Sequence, residues 1–259
     1  MGLICVFVNQ KGGVGKTTSA INIGAYLADA GKSVLLVDFD AQANLSYGIG
    51  TNQPKPGIYE LLSGSATADD VIKKTAVNNL DVIPASTDLS GAAVELIDQK
   101  ERNFFLKKAL APIRDRYDYI LIDCPPSLGQ LTMNGLAAAD SMLIPMQCEY
   151  FAMEGLSKLL DTTGKVQKAL NPSLKIGGIF FTMYDPRTRL ANDVIKQVSA
   201  HFKGLVLNTI IPRNIRLSEA PSFEMPISLY DPQCPGARAY HALAQEVLRR
   251  EKTGGKNGA

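Results

Sequence analysis

The chain contains no tryptophan and only two histidines, His201 and His241. These lie far apart on expected helices, which argues against a histidine-built metal centre. Its four cysteines, at positions 5, 124, 148 and 234, form no C-x-x-C pair and no metal-ligand spacing. They read as reduced thiols, three of them in or beside apolar runs, and not as a disulfide framework. No apolar run is long enough to span a bilayer. The N-terminus opens on an apolar strand and not on a charged region followed by a long apolar segment. Both observations speak against a signal peptide or a transmembrane helix and predict a cytoplasmic protein. Net charge is also scarce, at +2, so no charge excess dictates a nucleic-acid or membrane partner. From residue 180 onward, 11 Lys/Arg face 7 Asp/Glu, a local +4 that leaves −2 elsewhere. Solvated helix faces are sufficient to explain so mild a bias.

What is present is a chain of 259 residues, 46% of them hydrophobic, which can bury one large core. Apolar runs rich in branched residues at 3–8, 33–38, 80–84, 119–123, 141–145, 176–182 and 206–211 read as strands buried on both faces. Helical patterns fill the intervals at 17–30, 91–111, 130–139, 153–170 and 190–202, with a last helix at 236–250. Alternating strands and helices imply right-handed crossovers and a doubly wound, mostly parallel α/β sheet. Ligands of such sheets bind at the carboxyl ends of the strands. A single domain over 1–252 is expected, with a Pro-rich surface loop at 52–56 and a disordered Gly/Lys tail at 253–259.

After the first strand comes Asn9-Gln10-Lys11-Gly12-Gly13-Val14-Gly15-Lys16-Thr17-Thr18, followed by a helix. Glycines let the backbone aim several N–H groups at one point, and the helix N-terminus adds unpaired donors and its positive dipole end. Lys16 can reach the β and γ phosphates of ATP, and the Thr17 hydroxyl can ligate Mg²⁺. The usual G-x-x-x-x-G-K-[ST] spacing is not met, because Gln10 stands where its first glycine belongs. Two acidic strand ends follow. In Val37-Asp38-Phe39-Asp40-Ala41-Gln42, Asp38 either caps its strand or helps orient water or Mg²⁺. Tyr119-Ile120-Leu121-Ile122-Asp123 is an apolar strand ending in an acid, the Walker B form, and Asp123 would hold Mg²⁺ through a water. Pro125 and Pro126 stiffen the segment 124–129, a candidate switch for sensing the γ-phosphate.

Lys-Gly-Gly-Val-Gly-Lys-Thr, with its additional lysine at Lys11, resembles the deviant Walker A of the ParA/MinD superfamily. The resemblance covers essentially the whole chain. Thr182-Met183-Tyr184-Asp185-Pro186-Arg187-Thr188 and the segment from Ile211-Pro212-Arg213-Asn214 to Pro221-Ser222 are similar to chromosomal ParA proteins of the Soj type. It implies an ATPase of the P-loop class that forms a homodimer around two ATP molecules. Lys11 would cross to the partner's phosphates, a cation supplied in trans that ties hydrolysis to dimerisation. Asp40 matches the water-activating aspartate of the family, and Gly12, Gly13, Val14, Gly15 and Thr18 complete the phosphate cradle around Lys16 and Thr17. The same resemblance assigns Pro212 and Asn214 to the adenine pocket. It also promotes Arg187 and Arg216, otherwise ordinary loop charges, to non-specific contacts with double-stranded DNA, with Arg189 a neighbour in that patch. A ParB-type centromere-binding partner would stimulate hydrolysis, and the protein would sit on the nucleoid.

Three other readings compete. A MinD-like positioning ATPase needs a C-terminal amphipathic helix with bulky apolar residues for a membrane; here Leu243, Val247 and Leu248 fit a core-facing stripe better, and no membrane partner is expected. An electron-transfer ATPase of the nitrogenase iron-protein kind needs paired cysteines, and Cys124 has no suitable second. A related tyrosine kinase usually carries a Tyr-rich tail, which residues 241–259 lack.

Overall fold

In β1 (Leu3–Phe7) successive buried side chains enter two different cores. Ile4 and Val6 pack with Leu35, Val37, Ile120 and Ile122 on one face of the sheet. Cys5 and Phe7 pack with Val34, Leu36 and Leu121 on the other. A strand apolar on every residue must be covered on both sides, so layers of helix on each face follow from composition alone. The structure, a computed structural model, describes residues 1–51, 55–95 and 98–254.

The remaining strands are β2 (Val34–Asp38), β3 (Lys73–Lys74), β4 (Leu80–Ile83), β5 (Tyr119–Asp123), β6 (Ser141–Gln147) and β7 (Lys175–Thr182). Their order across the sheet is β3-β4-β2-β5-β1-β6-β7, parallel throughout except for the short antiparallel β3. The helices are, in chain order, α1 (Lys16–Asp29), α2 (Asn44–Gly48), α3 (Ile58–Ser63), α4 (Ala68–Val71), α5 (Leu89–Glu95) and α6 (Phe105–Leu110). They continue with α7 (Gln130–Ala138), α8 (Ala152–Ala169), α9 (Arg189–His201), α10 (Ile215–Glu219), α11 (Ile227–Tyr230) and α12 (Pro235–Gly254). Ile23 and Leu27 of α1 meet Tyr240, Leu243 and Val247 of α12 in one core, while Leu106, Leu136, Leu156 and Val194 close the other. The apolar stripe of α12 is therefore spent inside the fold. Among the described residues no helix is long and apolar enough to cross a membrane.

Two expected elements are corrected. The helix expected at 91–111 is two helices, α5 and α6, with Glu101 in the left-handed region (φ 57°) between them. Side chains of α7 hold the break: Gln130 donates to the Arg102 carbonyl and the Asn103 side chain, and Asn134 donates to the same carbonyl. The strand expected at 206–211 runs beside β7 but pairs with it only irregularly, through an isolated bridge of Ile179 with Val206 and a separate bond from the Ile211 N–H to the Phe181 carbonyl (2.8 Å). The cause is Glu246 on α12. Its carboxylate accepts the backbone and side-chain N–H of Asn208 (2.7 and 3.1 Å) and the N–H and hydroxyl of Thr209 (2.9 and 2.7 Å). Backbone donors turned toward a carboxylate cannot also serve a ladder. Of the loop expected at 52–56, residues 52–54 lie outside the described residues, as do residues 255–259 of the expected tail.

Burial alone would raise the Glu246 pKa, but the Asn208 and Thr209 donors and the Arg250 charge outweigh it and hold the carboxyl below its usual range. A depressed carboxyl stabilises above its unfolded pKa, and that contribution is lost as pH falls through the folded value. Glu246→Ala should therefore cost about 2–3 kcal/mol near neutral pH, since it removes hydrogen bonds to a charged acceptor at a part-buried site. Urea unfolding should show the gap from wild type narrowing in acid; a gap independent of pH would contradict this account.

Candidate active site

Strand register brings the acidic residues together. Asp123 is paired with Asp38 across β2 and β5 and with Phe7 across β1 and β5, so both carboxylates end their strands level with the start of the glycine-rich loop. In that loop Gly13 and Gly15 take positive φ (71° and 85°), which side chains with a Cβ rarely adopt. Neighbouring strand ends fix the loop: the Thr182 hydroxyl donates to the Val14 carbonyl (2.9 Å), and the Gln147 amide donates to that of Gly13 (2.9 Å). Gly15 caps α1 without a side-chain acceptor, which leaves the first-turn N–H groups for an anion.

Lys16 is 6% exposed, and its ammonium donates to the Lys11 carbonyl at 3.4 Å. Burial lowers its pKa, opposed by the charges of Asp123 and Asp40. The Thr17 hydroxyl donates to Asp123 Oδ2 at 2.6 Å, whereas Asp123 Oδ1, equally buried, has no hydrogen-bond partner. Burial, with the nearby Asp38 charge, pushes the Asp123 carboxyl up to about 8 against the pull of Thr17 and Lys16. Asp38 is raised to about 6 by burial, despite donors from Ser46 and Asp40. An unpaired buried carboxylate oxygen beside a threonine hydroxyl is a hard-oxygen donor set, and it suits Mg²⁺. Thr17 and Asp123 are the residues that would hold it.

A cavity of about 560 Å³ opens over this cluster. Gly12, Lys16, Thr17, Asp40 and Pro126 are among its lining residues. Its lining also includes an apolar set, Met183, Leu217, Pro221 and Met225. Asp40 is half-buried at the rim, and its Oδ1 accepts the Gln42 N–H. Pro212 and Asn214 do not line this cavity. Pro212 bridges to Tyr184, and Asn214 caps α10 with a buried Oδ1 that has no partner. The segment that carried the resemblance thus does reach the cavity, but through Leu217 and Pro221.

Of the outer charges singled out in the sequence, Lys11, Arg187 and Arg216 are engaged within the chain, and Arg189 begins α9 exposed. Lys11 pairs with Glu149 and donates to the Gln147 side chain (3.2 Å). Arg187 binds Asp185 with two nitrogens (2.9 and 2.6 Å). Arg216 pairs with Glu219 (2.9 Å) and with Asp231 (3.5 Å). Sequence reasoning missed Gln147, Glu149 and the apolar part of the lining. For Gln147 and Glu149 the one visible signal was position, at and just after the carboxyl end of β6. A larger cavity, about 880 Å³, opens at the opposite end of the strands, beside Leu3, Ser141 and Lys175. Its Arg114 is already bound to the Gly2 carbonyl and Asp140, and its Glu251 to Tyr119.

A glycine-rich turn, a buried lysine and a Thr–Asp pair at the ends of parallel strands define a P-loop nucleotide-binding fold. A protein-family model described as an AAA domain matches residues 2–176. The chromosome-partitioning ATPase Soj of Treponema pallidum is 62% identical over 251 residues, covering 97% of this chain and 99% of that protein. The sporulation initiation inhibitor protein Soj of Bacillus subtilis is 53% identical over 249 residues, covering 95% and 98%. Among solved structures, cobyrinic acid a,c-diamide synthase from Mycobacterium smegmatis, with bound ADP and magnesium, superposes with a TM-score of 0.86. It is 37% identical and covers 98% of this chain and 97% of its own. The chain belongs to the Soj/ParA family of deviant Walker A ATPases.

The raised Asp123 carboxyl has a measurable consequence. Folding takes up a proton at pH values between its unfolded and folded pKa, so stability of the metal-free protein falls as pH rises across that interval. Thermal melts without nucleotide or metal should decline from about pH 5 to about pH 8. Asp123→Asn should flatten that decline and melt higher at the alkaline end. An unchanged slope in the variant would place the titrating group elsewhere.

Proposed function

We propose that this chain is an ATP-driven DNA-segregation ATPase whose ATP-bound homodimer holds DNA without sequence preference. The observation that carries the ATPase chemistry is the juxtaposition of Lys16, Thr17 and the half-satisfied Asp123 beneath one cavity. The ADP and magnesium in the synthase structure support the choice of ligands, and the Soj relatives support the cellular task.

The chemistry follows from the residues. N–H groups of residues 12–18 and the positive end of α1 hold the phosphates, with Lys16 at the β and γ positions. Mg²⁺ at Thr17 and Asp123 would neutralise charge on the phosphate oxygens. Asp40, at the cavity rim, orients the attacking water for in-line displacement. Lys11 of a second copy adds positive charge at the γ-phosphate, after leaving Glu149 and Gln147. The adenine rests toward Met183, Leu217 and Pro221, with Pro212 and Asn214 in the same chain segment as Leu217 and Pro221. Arg187, Arg216 and Arg189 neutralise DNA phosphates on the dimer, and a ParB-type partner accelerates hydrolysis and release. One domain over 1–252, working in the cytoplasm on the nucleoid, fits this cycle. The apolar face of α12, closed against α1, disfavours the MinD-like membrane alternative.

Binding to non-specific duplex DNA, compared without nucleotide and with ADP, ATP or a slowly hydrolysed analogue across a salt series, tests the proposal. Binding should appear only with ATP or the analogue and weaken steeply with salt; equal binding in all states would remove DNA as the track. Lys16→Ala should lose nucleotide binding. Asp40→Ala should bind ATP and DNA while turnover drops about 10²–10⁴-fold. Arg187→Ala or Arg216→Ala should keep ATP-dependent dimerisation and lower the log–log salt slope by about 0.9 per lost phosphate contact.

A further inference from the structure

The segment that carries Asp40 is fastened from below by a buried relay. Asp38, the last residue of β2, is fully closed from solvent. Its Oδ1 accepts the backbone N–H of Asp40 at 3.2 Å. Its Oδ2 accepts both the N–H (2.8 Å) and the hydroxyl (2.6 Å) of Ser46. The Ser46 oxygen then accepts the N–H of Ala85 (2.9 Å), just past β4. Ser46 is 1% exposed and Ala85 fully buried, so water cannot replace these bonds. The Ser46 carbonyl is engaged too, by the N–H and hydroxyl of Thr51 (2.9 and 2.7 Å).

This arrangement separates the two paired carboxylates by task. Asp123 keeps one buried oxygen without a donor and is open to a cation. Both oxygens of Asp38 already accept hydrogen bonds from the loop itself, whereas Asp123 is the one with an oxygen that accepts none. The relay instead spans 38–46 from both ends, because Ser46 lies in α2, whose Asn44, Tyr47 and Gly48 line the nucleotide cavity. Between these anchors the chain turns sharply. Ala43 sits in the left-handed region (φ 54°), and its N–H donates to the Asp40 carbonyl. A turn of that conformation in a non-glycine residue persists only where its surroundings impose it.

We propose that Asp38 and Ser46 are positioning residues for hydrolysis: they set the backbone of Asp40, and through it the carboxylate that orients water, without touching nucleotide or metal. The inference rests on the reading of Asp40 given above. A displacement of about 1 Å at a reacting group can cost about a hundredfold in rate. A relay that acts this way should therefore appear in turnover and not in nucleotide affinity.

The test uses the full chain with Mg²⁺ and duplex DNA, comparing Ser46→Ala, Ser46→Thr, Ser46→Cys and Asp38→Asn with Asp40→Ala. Steady-state ATPase, affinity for a fluorescent ATP analogue and melting temperature are read for each. Ser46→Ala should lower kcat by about 10- to 100-fold, with nucleotide affinity within about twofold of wild type, the scale of scatter expected for a contact not made to ligand. Ser46→Thr, which keeps the hydroxyl, should restore most of the rate. Ser46→Cys keeps a side-chain donor and acceptor, though weaker ones, and should fall between them, which keeps the test intact if Ser46→Ala folds poorly. In the Asp40→Ala background, Ser46→Ala should add no further loss, because the group it positions is gone. Wild-type turnover in Ser46→Ala beside an inactive Asp40→Ala would overturn the relay alone. Loss of affinity in parallel with kcat, or additive losses in the double variant, would do the same. Wild-type turnover in Asp40→Ala would instead sink the reading of Asp40 on which the relay depends.

Discussion

A carboxylate enclosed at the edge of an apolar sheet must find donors, take up a proton or meet a cation. The register of β2 against β5 sets two such groups side by side, and each meets the demand differently. Asp38 gathers donors from its own loop. Asp123 has one, from Thr17, and that bond decides where the rest of the site lies. Thr17 lies in the first turn of α1, so that turn is docked to the end of β5, and the glycine-rich loop has one short path from β1 to reach it. Lys16, the preceding residue, is carried into the same low-dielectric ground, where its ammonium faces both Asp123 and Asp40. The cluster is thus left electrostatically incomplete in the protein alone. An incomplete site of this kind is a common cost of function, tolerated because the surrounding two-sided core is extensive.

Much of this could be read from the sequence because its determinants are local. Runs apolar on every residue announced strands covered on both faces, and Gly-Lys-Thr after a strand announced the phosphate loop. The acid ending 119–123 was legible for the same reason. What was hidden depends on distance along the chain. Lys11 finds Gln147 136 residues away, and Ser46 finds Ala85 39 residues away. No periodicity encodes such pairs. The two misread elements have the same origin: 206–211 has the composition of a strand but is claimed by Glu246, and 91–111 has a helical rhythm that Gln130 and Asn134 interrupt from outside. The roles of Lys11 and the arginines came only from resemblance, since a charged residue in a loop says nothing by itself.

A common pattern joins those charges. Lys11, Arg187 and Arg216, each assigned to act on something beyond its own chain, already have carboxylate partners at home. Any outside contact is then an exchange, and its net worth is the difference between two exposed ion pairs. Single exchanges of that size are weak, so firm attachment requires several at once, as two copies joined around nucleotide would supply.

The flanks of the sheet carry a different implication. An unpaired strand edge is a template for another chain, and long flat edges invite aggregation. Here one flank ends in β3, two residues long and both lysine. The other, β7, runs beside a segment that Glu246 and Arg250 hold away from regular pairing. Neither border offers a straight, apolar edge onto which a neighbouring molecule could extend the sheet. Copies brought close to one another can therefore touch without their sheets fusing.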